Sequence, residues 1–169
     1  NDPDPNAPGG SFGRGIRFFH PSTINPARRK QVWAQSDIVH TASWFPCNPD
    51  MSDASTMECI ASMEPGFQFI SNGKLVSKSL RSDGWTTFHY KTEQPAPAYL
   101  TVSAAGVYDY LLKHVTGTTV HTFCYPDERE AAKATIVRFP DMLHFMEEKT
   151  GFAYPFTQYA QVMIQDYPF

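Results

Sequence analysis

Apolar and polar side chains alternate through much of the first two thirds of the chain. Met57, Cys59, Ala61 and Met63 interleave with Thr56, Glu58, Ile60 and Ser62, and only the first row is consistently apolar. A period of two with one wet row predicts a half-buried strand. Residues 67–71 and 74–80 flank Asn72-Gly73. Asn-Gly supplies two positive-φ positions, so the pattern predicts a tight hairpin there. Asp83-Gly84 repeats the device ahead of a strand over 85–92. Residues 99–104 and 107–112 read as strands around Gly106, and 118–124 as another. From Gln31 to about Cys124 the reading is nearly all β, a meander that predicts antiparallel sheet with one wetter face.

The pattern changes near Pro126. Asp127, Glu128 and Glu130 are acidic residues placed to open a helix, where they oppose its macrodipole. Ala131, Ala132 and Ala134 favour helix. Pro140 interrupts and suits the first turn of a second helix. On that helix Met142, Phe145 and Met146 fall at i, i+3 and i+4 with Leu143 beside them, a stripe expected to face the core. Gly151 is placed to cap its end. Residues 160–164 read as a final strand.

Composition adds bounds. A chain of 169 residues, 41% hydrophobic, is long enough to bury a core. The 14 Pro and 10 Gly argue for many turns against a long helical bundle. Net charge is −3, so no global field draws the protein to nucleic acid or an anionic membrane. No apolar run approaches the ~18 residues that would span a bilayer. The first fifteen residues are rich in Asn, Asp, Pro and Gly and read as a lead-in. No compartment is legible, since the chain opens at Asn1 with no visible signal peptide. Cys47, Cys59 and Cys124 are too few and too far apart for a disulfide framework, and buried thiols are expected.

No local pattern carries catalysis by itself. None of His20, His40, His89, His114, His121 and His144 belongs to a His-Glu-x-x-His pair, which would set two imidazoles on one helical face. His144 and Glu148 share a helical face, where a polar surface is the expected role. No Gly-x-Ser-x-Gly elbow is present. Gly13-Arg14-Gly15 lacks the third glycine and the preceding strand of a dinucleotide site. The aromatics near Lys91 and Lys113 lack the basic stripe of a nucleic-acid surface.

A wider order of motifs says more. Gln35-Ser36-Asp37 precedes Ser43-Trp44-Phe45-Pro46-Cys47-Asn48, followed by Ser71-Asn72-Gly73-Lys74-Leu75, Gly84-Trp85-Thr86-Thr87-Phe88-His89-Tyr90, Tyr99-Leu100 and Gly106. Gly151 to Val162, with Tyr154-Pro155-Phe156-Thr157-Gln158-Tyr159, closes the series. In order and spacing the set resembles the zinc aminopeptidases of the aminopeptidase N and leukotriene hydrolase family, from about Gly15 to Phe169. The resemblance implies a mainly β fold. Antiparallel saddle-like sheets, the later half of an N-terminal domain, would cover 16–120 after a lead-in over 1–15. A short helical segment and one strand over 121–169 would begin a thermolysin-like α+β domain.

The same resemblance implies a function for the whole protein, zinc-dependent removal of N-terminal residues from peptides. The zinc site would lie beyond this stretch, which is expected to be an internal fragment that binds no metal and is inactive alone. Gln35 and Asp37 would help hold the substrate's free α-amine, because a carboxylate facing an ammonium gains a charge-assisted hydrogen bond. The expected partners are peptides with a free N-terminus and the rest of the polypeptide.

The departures bear on catalysis. Asp37 is one methylene shorter than the usual Glu, and Ala42 and Ser43 stand where an Arg is common. Pro49, Met51 and Ala54 replace the more usual Asp, Pro and Lys. Some relatives, including a transcription-initiation subunit, keep this architecture without the zinc site. A non-catalytic scaffold or protein-interaction role is therefore the alternative.

Overall fold

In the computed structural model, residues 15–35, 38 and 40–167 are described. In chain order the strands are β1 (Arg17–Phe19), β2 (Gln31–Gln35), β3 (Ala54–Ser55), β4 (Glu58–Met63), β5 (Gln68–Ser71), β6 (Lys74–Leu80), β7 (Thr86–Lys91), β8 (Ala96–Pro97), β9 (Val102–Gly106), β10 (Asp109–Val115), β11 (Thr118–Cys124) and β12 (Gln158–Val162). Two helices, α1 (Arg129–Val137) and α2 (Phe139–Thr150), lie between the last two strands. The fold is mainly β with antiparallel sheets and a short helical segment, as the residue pattern and the resemblance both predict. The chain divides into two units. One runs to Val107 and takes the chain back from Ile164; the other is Tyr108–Met163.

The first unit holds a four-stranded sheet in the order β1-β2-β9-β5 and a three-stranded sheet in the order β4-β7-β6. Alternation decides what each presents. Val32, Phe69 and Ala105 lie on one side of the larger sheet and meet Cys59, Ala61, Met63, Phe88 and Tyr90 of the smaller. This is the apolar row of β4 turned inward while Glu58 and Ile60 stay exposed. Phe69 packs edge-on against Tyr90, with ring centroids 6.1 Å apart, and lies 6.3 Å from Phe88. The pair β3-β8 makes a short separate ladder.

Asn72-Gly73 does not close a hairpin, contrary to the expectation from sequence. β5 pairs with β9, whereas β6 pairs with β7, so the turn carries the chain from one sheet to the other. The two residues serve tertiary contacts. Asn72 Nδ2 donates to the Leu100 carbonyl at 3.0 Å, and the Val102 amide donates to Asn72 Oδ1 at 2.7 Å. Gly73 (φ 85°) lies against the Lys91 backbone. The Asp83-Gly84 device does close a hairpin, with Leu80 opposite Thr86, Gly84 at φ 84°, and the Trp85 amide bonded to Asp83 Oδ1 at 3.0 Å.

In the second unit β10 and β11 form a hairpin around Thr116-Gly117, both at positive φ (45° and 82°). β12 joins β11 in parallel. Parallel neighbours need a long crossover, which α1 and α2 supply. Val115, Val120, Ile136 and Phe139 make this unit's core, with Leu143 and Tyr159 packed on it. Pro140 lies in the first turn of α2, and Gly151 caps it at φ 74° with its amide on the Glu147 carbonyl at 2.9 Å. The apolar stripe of α2 is not core, which corrects the sequence reading. Met142, Phe145 and Met146 are more than half exposed, because the sheet takes the adjoining line of Phe139 and Leu143. Cys124 is buried, but Cys47 and Cys59 are only half-buried; all three are free thiols.

Candidate functional site

The side chains of β2 alternate between two environments. Val32 packs toward the sandwich core. Gln31, Trp33 and Gln35 point the other way, level with Phe19 and Arg17 of β1, since Arg17 is opposite Trp33 and Phe19 opposite Gln31. The chain returns across this outer face with Gln165, Asp166 and Tyr167.

Gln31 is fully buried and acts as a backbone partner. Its Nε2 donates to the Gln165 carbonyl at 2.7 Å, and its Oε1 accepts the Gln165 amide at 3.2 Å. The Arg29 amide bonds Gln165 Oε1 at 2.7 Å. Arg28 Nε pairs with Asp166 Oδ2 at 3.1 Å. The Tyr167 hydroxyl donates to Gln35 Oε1 at 2.8 Å. Trp33 stacks on Phe19 (5.8 Å, 17°), and Tyr167 tilts against it at 5.7 Å. The Arg17 guanidinium lies 4.8 Å from the Trp33 ring centroid. Burial pulls the Arg17 guanidinium below its usual range, since loss of water penalises the charged form.

Of the two residues expected from sequence, Gln35 is on this face with its carbonyl oxygen engaged by Tyr167. Asp37 lies outside the described residues. Gln31, Trp33 and Arg17 complete the face. A period-two reading of 31, 33 and 35 would have found the first two of these. The pairing with β1 that adds Arg17 is a tertiary fact.

The Gln35–Tyr167 bond makes a measurable prediction. Gln35→Ala and Tyr167→Phe should each lower unfolding free energy by about 1 kcal/mol, one net hydrogen bond. The double variant should lose clearly less than the sum, because the two changes remove one shared interaction. Additive losses in urea unfolding would show that the bond contributes nothing.

The Phe45-Pro46-Cys47 block borders a cavity of about 320 Å³, together with Met57, Asn72 and Thr101. Asn72 shapes its wall through the two backbone bonds above. Among the described residues no group of three His, Cys, Asp or Glu is placed to hold a metal ion. His144 Nε2 and Glu148 Oε1 are 3.3 Å apart on the exposed side of α2, as an ion pair at most. No helix among the described residues is long and apolar enough to cross a membrane.

A mainly β chain with glutamines committed to internal bonds and no metal cluster among the described residues is the class the coordinates define. No family model matches it. It is similar to transcription initiation factor TFIID subunit 2 of Drosophila melanogaster, 28% identical over 125 residues, covering 73% of this chain and 10% of that protein. It is likewise similar to transcription initiation factor TFIID subunit 2 of Danio rerio, 25% identical over 155 residues, covering 90% of this chain and 13% of that protein. The chain spans about a tenth of the length of these curated relatives.

Proposed function

We propose that this chain is a scaffold portion of a TFIID subunit 2-like protein. In this reading it belongs to an aminopeptidase-type architecture that serves protein assembly in transcription initiation. The observation that carries the reading is the similarity to TFIID subunit 2 of two animals, over 73% and 90% of the chain. The site chemistry supports it. Gln31 and Gln35 satisfy the returning segment at Gln165 and Tyr167, which is what a structural wall needs. A peptide-end pocket would present free acceptors to an ammonium.

The ordered blocks around Trp44-Phe45-Pro46-Cys47 favour a second reading. There the whole protein is a zinc aminopeptidase, and Gln35 and Asp37 hold the α-amine of a peptide substrate.

One experiment separates the two. The full-length protein, tagged at its own locus, is purified from nuclear extract under native conditions. The scaffold reading expects other TFIID subunits in constant proportion through size exclusion. It also expects no chelator-sensitive cleavage of aminoacyl-p-nitroanilides. A monomer carrying one zinc per chain and cleaving those substrates would overturn it in favour of the peptidase.

A further inference from the structure

Among the described residues, two buried donors at the Trp33 ring lack acceptors. Arg17 is 5% exposed and Trp33 2%, and neither Arg17 Nη2 nor Trp33 Nε1 has a hydrogen-bond partner among the described residues. They belong to one place. Arg17 is opposite Trp33 across the β1–β2 ladder, and its guanidinium lies 4.8 Å from the indole centroid.

The far end of the same aromatic stack shows what is missing. Phe19 stacks on Trp33, and Arg28 sits 5.5 Å over Phe19. Arg28 has its carboxylate in Asp166. Among the described residues Arg17 has none. A guanidinium does not relieve burial by losing its proton. Leaving a buried charge unpaired is among the most expensive arrangements in a protein, and attraction to one indole offsets only part of the cost. The orphaned indole N–H adds to the deficit.

We propose that Arg17 and Trp33 form a receptor for one carboxylate, presented by an acidic side chain of a polypeptide that docks on this face. A planar, two-oxygen anion suits the guanidinium edge and leaves a lone pair for the indole N–H. The aromatic floor of Phe19 and Trp33 suits a side chain more than a solvated phosphate. A net charge of −3 argues against a polyanion such as nucleic acid. Tyr167 lies against the same indole ring and is the group that must yield to the incoming side chain. A fixed guanidinium on this face also repels a free α-ammonium. The inference stands on its own geometry, whichever reading of the whole protein holds.

The test uses the 169-residue chain with tryptophan labelled by ¹⁵N, the Trp33 indole signal being assigned with Trp33→Phe. The titrants are sodium acetate, a capped Leu-Glu-Leu peptide, its Leu-Gln-Leu counterpart and sodium chloride. Acetate and the Glu peptide should move the Trp33 indole proton to saturation, while the Gln peptide and chloride should not. The Glu peptide should saturate at concentrations about tenfold lower than acetate, the equivalent of one further good contact. Arg17→Lys should weaken the response by about tenfold or more, because a point charge replaces the planar fork. In chloride, Arg17→Met should melt at or above the native chain and lose the acetate response. No saturating movement in the native chain would overturn the proposal, as would an undiminished response in Arg17→Lys. Arg17→Met melting well below the native chain in chloride would do the same, since Arg17 would then already have its acceptor. Equal saturation by acetate and the Glu peptide would remove the polypeptide as the source.

Discussion

Phe88→Ala should cost about 3–5 kcal/mol, the range for removing a buried aromatic ring without full collapse of the space left behind. Phe88 is 1% exposed and sits where the two sheets of the first unit meet, among Phe67, Phe69, Tyr90 and Ala105. Its outer edge is closed by Lys78, whose Nζ lies 5.1 Å from the ring centroid and bonds Gln68 Oε1 at 3.1 Å. That cover hinders the neighbours from filling the gap. A loss of this size is a large share of the ~5–15 kcal/mol that ordinarily separates folded from unfolded domains. The consequence reaches the candidate site. Val32 of β2 packs on the same cluster, so loosening the sandwich frees the strand that carries Gln31, Trp33 and Gln35. Urea unfolding of the purified variant measures the effect. A loss below about 1 kcal/mol would mean that the sheets repack without the ring, and that the sandwich is not what holds β2.

Gly73→Ala should be nearly as damaging, at roughly 2–4 kcal/mol. A Cβ at this position would stand 2.1 Å from the Lys91 carbonyl oxygen and 2.4 Å from its carbon, in a backbone at φ 85°. The obstacle is backbone, so no rotamer change relieves it. Either β7 moves from the turn or Gly73 changes conformation. Either shift disturbs Asn72, which holds the Leu100 carbonyl and the Val102 amide and so lines the cavity beside Cys47. Gly84→Ala is the matched control. It has a similar φ of 84°, but its Cβ would meet only Pro65 Cγ at an ordinary 3.8 Å. It should cost about 1–2 kcal/mol, the conformational term alone. Equal losses in the two variants would show that close approach to Lys91 is not what makes glycine necessary at 73.

Much of the strand content was legible because alternation is a local property. The row Cys59, Ala61, Met63 names the inner face of β4 without any knowledge of its neighbours. Gly151 as a helix cap and Pro140 in a first turn are equally local, set by φ and by a missing amide hydrogen. Asn72-Gly73 was misread because its dipeptide also suits a hairpin. The residues are used instead for bonds to Leu100 and Val102 and for contact with Lys91. The α2 stripe was misread because helical spacing says which residues share a face, not whether anything covers it. Phe139 and Leu143 took the sheet, and Met142, Phe145 and Met146 were left exposed. The resemblance singled out Gln35 for a substrate amine, whereas its bond from Tyr167 depends on a residue far along the chain and was not legible.

By itself the amino-acid order determined the element types, the inward rows and the absence of a His-Glu-x-x-His helix in this stretch, because each depends on residues within a few positions of one another. Only the tertiary structure decided that β12 runs parallel to β11, that Gln31 and Gln35 meet Gln165 and Tyr167, and that Arg17 is buried against Trp33 with no acceptor among the described residues. The physical reason is separation along the chain. Sixteen positions part Arg17 from Trp33, and more than a hundred and thirty part Gln31 from Gln165. No local preference encodes which of many distant groups will satisfy a buried charge or amide, and packing settles the choice.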